Sequence, residues 1–155
     1  MTPFHDLEAY IAIPRAAGLW VSPDGGRLVT TVSASAPDGK RFVTSLWEVD
    51  PTGEREPRRL TRSSSGEQTP AFLPDGSVLF VSRRPDPDAE GADEEADGKA
   101  AALWLLPAGG GEPRQVATRP GGVTSVAVAR DAGTVVFSSP VTPGDAASDD
   151  ARRRA

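Results

Sequence analysis

The densest run of side chains capable of chemistry is PDPDAEGADEEADGK, residues 85–99. Asp86, Asp88, Glu90, Gly91 and Asp97 stand at positions 1, 3, 5, 6 and 12 of a calcium-loop template. Carboxylate oxygens at that spacing could wrap a hard cation, and the glycine would permit the sharp turn. Three departures decide against it. Asp97 stands where the template needs a bidentate Glu, Asp93 occupies the usual apolar position, and no helical pattern flanks the loop. The run therefore reads as a solvated acidic loop without metal, because so few apolar groups cannot offset the entropy of ordering it.

Other reactive residues are isolated. His5 is the only histidine and there is no cysteine, so His5 reads as a surface residue rather than a ligand or base. Ser63, Ser64 and Ser65 form a polar connector, since no G-x-S-x-G nucleophile elbow frames them. Arg152, Arg153 and Arg154 are balanced by Asp145, Asp149 and Asp150, which suits a solvated loop or helix start better than a nucleic-acid patch. No catalytic, cofactor-binding or metal-binding residue is assigned, substrate-binding residues are left open, and no cofactor is expected.

The order in this chain lies in its turns. VSPDGGRLVTTVS, from Val21, places a Ser-Pro-Asp-Gly turn between two apolar runs, and the arrangement returns as FLPDGSVLFVSRR from Phe72 and VARDAGTVVFSSP from Val128. Asp24, Asp75 and Asp131 head these turns, at intervals of 51 and 56 residues. Gly25, Gly76 and Gly133 supply the positive φ that a tight hairpin needs. A second marker repeats 57 residues apart: Leu46-Trp47 and Leu103-Trp104 open a further strand, each followed by a turn, Glu-Pro-Arg and a short last strand. Four strands per unit of about 40–50 residues is one β-propeller blade.

Composition agrees. The chain has 155 residues, with 16 Gly and 15 Pro, which suits many turns and disfavours long helices. The net charge of −5 calls for no nucleic-acid partner. No apolar run approaches a membrane span, and no signal peptide is evident, so a cytoplasmic location is expected.

The expected organisation is all-β: a partial propeller of about two and a half four-stranded blades from a larger, seven-bladed ring. Residues 1–16 form a short helix and lead-in, with Thr2 as cap, Pro3 at the first helical position, and Phe4, Leu7 and Ile11 packed on the propeller. Blade one covers 17–62, blade two 63–119 with the acidic insertion 85–99, and 120–155 holds half of blade three and an exposed loop. Trp20 and Trp47 could serve as stacking platforms. Burying an indole contributes on the order of 4–6 kcal/mol gross, and recurrence at Trp104 favours equivalent interior anchors at Trp47 and Trp104.

The ordered series of helix, PRAAGLWVSPDGGRLV, LWEVD, PRRLTRSSSGE, PAFLPDGSVLFVSRRPDP, AALWLLPAGGGEPRQVATRPGGV and VARDAGTVVFSS resembles the N-terminal propeller of the prolyl oligopeptidase family of serine peptidases. The similarity is greatest to its actinobacterial acylaminoacyl-peptidase and aminopeptidase-like members. The resemblance implies a seven-bladed propeller over an α/β-hydrolase domain carrying a Ser-Asp-His triad, with short peptides or small aminoacyl amides as substrates. None of those catalytic positions occurs in this chain, so its implied share is to wall and gate the active site. The implied partners are the remainder of the propeller and the hydrolase domain, in the same polypeptide or a cleaved companion chain. The alternative is a non-enzymatic, Tol-system-like binding propeller with no peptidase attached.

Overall fold

The computed structural model describes residues 6–86 and 100–141. Helix α1 (Leu7–Ala12) precedes three antiparallel sheets. The first holds β1 (Arg15–Val21), β2 (Leu28–Ser35), β3 (Phe42–Val49) and β4 (Arg58–Arg59), in that spatial order. The second holds β5 (Glu67–Phe72), β6 (Val78–Ser82), β7 (Ala102–Leu106) and β8 (Arg114–Ala117), again in sequence order. The third pairs β9 (Ser125–Val128) with β10 (Val135–Ser138). The described residues form an all-β, partial propeller: two four-stranded blades and a two-stranded third. The first strands lie side by side, β5 beside both β1 and β9.

The repeated turns have a shared local cause. In the first, Gly25 N donates to Ser22 O at 2.9 Å and Gly25 has φ 75°. In the second, Gly76 N donates to Leu73 O at 3.0 Å with φ 82°. The extra residue of the first hairpin, Gly26, is held by Asp24, whose Oδ1 accepts from Gly26 N at 3.0 Å and from the Ser22 hydroxyl. Those hydrogen bonds hold the Asp24 carboxyl below its ordinary range.

A bulge also repeats. The register slips between Ala17 and Trp20 in β1, and between Gln68 and Ala71 in β5. Gly18 has φ 67° in the first bulge, with the Trp20 ring against it; a Cβ there would lie 2.3 Å from the indole. The equivalent position in β5 is Thr69, at φ 47°, a strained conformation for a β-branched residue.

Strand alternation sorts each blade into two faces. Val29 and Leu46 of blade one meet Phe72, Val78, Phe80, Ala102, Trp104 and Leu106 of blade two in one core cluster. Leu79, Val81 and Leu103, on the opposite face of blade two, meet Val126, Val128 and Phe137 of blade three in a second, which also buries Val123.

Helix α1 departs from the sequence expectation. Its cap is Asp6, whose Oδ1 accepts from Glu8 N at 2.9 Å and Ala9 N at 3.2 Å; Thr2, Pro3 and Phe4 lie outside the described residues. None of its residues is buried, and Leu7 is 71% exposed. Six residues give a stripe too short to cover much sheet. Arg15 stacks between the Tyr10 and Phe42 rings, at 5.7 and 4.7 Å, and ties the helix to blade one by a cation–π contact.

Candidate functional site

The two repeated tryptophans occupy one register position but two environments. Trp47 pairs across its sheet with Thr30 and Arg59, and Trp104 with Phe80 and Gln115. Trp104 is fully buried against blade one, with the Arg84 guanidinium 5.0 Å from its ring. Trp47 points to the side of blade one away from blade two and is half-buried. The expectation of equivalent interior anchors is thus corrected: the repeat sets direction, and burial depends on whether a blade stands on that side.

The Trp47 face carries a cavity of about 570 Å³. Val32, Val43 and Trp47 form its apolar floor, and Arg41, Arg59 and Arg62 reach its wall. Trp47 Nε1 donates to Ser45 Oγ at 3.0 Å. Arg59 Nε donates to Thr61 O at 2.7 Å. None of the three arginines has an ion-pair partner among the described residues. An apolar floor with unpaired guanidiniums can accept apolar groups flanked by carboxylates.

Behind this face lies a polar clasp that joins blade one to blade two. Leu46 N donates to Thr61 Oγ1 at 2.9 Å, which extends the β3–β4 ladder through a side chain. The Thr61 hydroxyl donates to Glu67 Oε2 at 2.8 Å, and Ser63 N donates to Glu67 Oε1 at 3.2 Å. Glu67 is fully buried. Burial pushes its carboxyl above the ordinary range, and the bonds from Thr61 and Ser63 only partly oppose that shift. Glu48 shows the opposite outcome: burial raises it, but hydrogen bonds from Arg27 and Arg58 outweigh that and hold it below. Arg27 adds a direct inter-blade tie, its Nη1 donating to Gly76 O at 2.7 Å.

Most of the residues weighed for chemistry lie outside the described part of the chain. His5 and Arg152, Arg153 and Arg154 lie outside the described residues, as do Asp88, Glu90, Gly91 and Asp97 of the calcium template. Asp86 accepts from Gln115 Nε2 at 3.4 Å. Ser63 and Ser65 belong to the inter-blade connector, where Ser65 N donates to Ser63 Oγ at 3.1 Å. No group of three or more His, Cys, Asp or Glu side chains gathers among the described residues. Sequence reasoning missed Thr61 and Glu67. Setting the junctions in register would have found them, because Glu67 stands where the next junction has Val123 and Thr61 where it has Ala117.

No protein-family model and no curated protein matches the chain. Among solved structures it is similar to AtxE2 isopeptidase in its apo form, with 14% identity and a TM-score of 0.63 over 99% of this chain and 25% of that one. It is also similar to a protein described as TolB from Agrobacterium tumefaciens, with 22% identity and a TM-score of 0.49 over 82% of this chain and 44% of that one. The chain spans about a quarter of the length of the isopeptidase it matches. At these identities the likeness shows the fold, that of a β-propeller.

Proposed function

We propose that this chain is the N-terminal propeller segment of a serine hydrolase of the prolyl oligopeptidase family, acting on short peptides or small aminoacyl or acylaminoacyl amides. In this reading the segment contributes wall and gate, and the Ser-Asp-His machinery belongs to a hydrolase domain in the same polypeptide or a companion chain. The observation that carries the proposal is the alignment of almost the entire chain, helix included, with a quarter of an isopeptidase. The ordered turn and Leu-Trp markers support it. A cytoplasmic location is part of the same proposal.

The test is chemical. The protein as its host makes it is treated with a fluorophosphonate probe and chromogenic aminoacyl amides, and the labelled peptide is mapped. Labelling is expected on a serine within a G-x-S-x-G elbow outside residues 1–155. A specifically labelled serine inside these residues, or a propeller with no labelled serine anywhere, overturns the proposal; the second result favours the binding-module alternative.

A further inference from the structure

We propose that Arg84 is a strap with two seats: Glu112 at the rim of blade two while the Glu67 carboxyl is protonated, and Glu67 at the junction with blade one once that carboxyl ionises. The device lies wholly within the first two blades and owes nothing to the hydrolase reading.

The sheet puts Arg84 within reach of both carboxyls. Glu67 stands opposite Ser82 in the β5–β6 ladder, and Arg84 lies two residues further on, toward the same face. Such diagonal neighbours lie about 7–8 Å apart, within the span of a long side chain. Two hydrogen bonds fix that spacing: Ser82 Oγ donates to Gly66 O at 2.7 Å and accepts from Arg84 N at 3.1 Å. The Arg84 guanidinium rests over the Trp104 ring, 5.0 Å away, and its Nη2 donates to Glu112 Oε1. A cavity of about 250 Å³ has Thr61 and Ser63, the two donors to Glu67, on its wall together with Arg84 and Glu112. That space gives the guanidinium room to pass between the two seats.

The seats differ in their surroundings. The Glu112 side chain is 70% exposed, and an ion pair there is worth little because water screens it. Glu67 is fully buried, where an unpaired carboxylate is costly and a nearby guanidinium is correspondingly attractive. A protonated Glu67 exerts no such pull, so Arg84 keeps its rim partner. As pH rises and the proton leaves to solvent, the new charge draws the nearest cation that can move. Burial holds this carboxyl above the ordinary range, so it ionises later in a rising titration than an exposed acid.

Arg84 and Arg59 are the cations whose charge reaches Glu67, and Arg59 Nε is held by Thr61 O at 2.7 Å. Arg62 lines the cavity from the connector after β4. Arg83 alternates to the opposite face, beside Gln68 and Val123. Of the strands packed on β5, β3 brings Glu48, bound by Arg27 and Arg58, and β1 brings Arg15, stacked on Tyr10 and Phe42. Strands β2, β6 and β9 carry no ionisable side chain. Asp86, beyond Arg84, accepts from Gln115.

The protein as its host makes it is labelled with carbon-13 in its glutamate carboxyls and titrated by NMR. Glu67 and Glu112 are assigned by the loss of their resonances in Glu67→Gln and Glu112→Gln. The Glu112 resonance is expected to show a step at the Glu67 midpoint, and Glu67→Gln to abolish that step. Arg84→Met is expected to raise the Glu67 midpoint by roughly one to three pH units, the range for loss of an adjacent opposite charge, and Arg84→Lys to restore part of it. Glu112→Gln, at an exposed position away from the core, is expected to lower the Glu67 midpoint, because it frees Arg84 for the second seat. A purely structural Arg84 predicts no change from Glu112→Gln. If Arg84→Met does not fold, Glu112→Gln decides alone. A Glu112 resonance blind to the Glu67 titration, an unchanged midpoint in Glu112→Gln, or a rise in Arg62→Met in place of Arg84→Met overturns the proposal.

Discussion

At the junction of blades one and two, a buried carboxyl clasps Thr61 and the Ser63 amide. At the junction of blades two and three, Val123 and Ala117 fill the same positions, and the Val123 amide bonds to Ala101 O at 2.7 Å. One repeat thus closes two junctions by different means. A hydrophobic plug contributes through area removed from water. A buried carboxyl contributes only while its donors remain, and an unpaired one is strongly destabilising. The first junction is therefore sensitive to pH and to the loss of single hydrogen bonds, and the second responds mainly to volume.

The contrast is largest at the tryptophans. Trp104→Ala should cost about 3–5 kcal/mol, the range for a fully buried aromatic truncation. Trp47→Ala should cost about 1–2 kcal/mol while its face is uncovered, in proportion to its partial burial. Denaturant unfolding of each variant measures both, and equal losses would erase the distinction between the two faces.

Next comes the clasp. Thr61→Ala removes a donor from Glu67 and an acceptor from Leu46 N, and should cost about 1–3 kcal/mol. Importing the second junction with Thr61→Ala and Glu67→Val together should restore stability to within about 1 kcal/mol of the parent. If the double variant is as unstable as Thr61→Ala alone, the junctions are not interchangeable. The pH response separates them further. The folded Glu67 carboxyl titrates above its unfolded value, so its contribution is present at low pH and is lost as pH rises through the folded value. Glu48 acts oppositely, contributing above its unfolded value and losing that as pH falls. The stability difference between Glu67→Val and the parent should therefore move in the variant's favour on going from pH 4 to neutral pH. Melting curves that shift equally at both pH values would refute this.

The bulges offer a finer comparison. Thr69→Gly should stabilise by about 1 kcal/mol through release of the positive φ. Gly18→Thr should destabilise by more than that, because its Cβ also meets the Trp20 ring. The smallest effect is expected at Ala102. Trp104 Nε1 is buried with no hydrogen-bond partner among the described residues, whereas Trp47 Nε1 has Ser45. Ala102→Ser places a hydroxyl at the equivalent position and should gain less than about 1 kcal/mol. A loss would mean the cluster has no room for the oxygen.

How much of this was legible in advance depended on the range of the interaction. Asp-Gly and Asp-Ala-Gly turns name their own hairpins, since only glycine takes the left-handed φ cheaply. Period-two alternation then sets each strand's register and its two faces. Those signals are local, and the strands follow them: β3 runs from Phe42 to Val49 as its spacing predicts, with Trp47 and Trp104 at one position of their sheets. Helix α1 was less legible. Thr2 and Asp6 both carry capping side chains, and the choice of Asp6 depends on where the backbone turns.

The sequence by itself determined the blade repeat, its turns, and which side of its sheet each residue occupies, because neighbours along the chain and across one hairpin decide those things. Only the tertiary structure decided which side is covered. The burial of Glu67, the exposure of Leu7 and the different environments of Trp47 and Trp104 depend on contacts between blades about fifty residues apart. Desolvation, which sets both the hydrophobic gain and the Glu67 shift, is a property of the space around a group, and that space exists only once the sheets have packed.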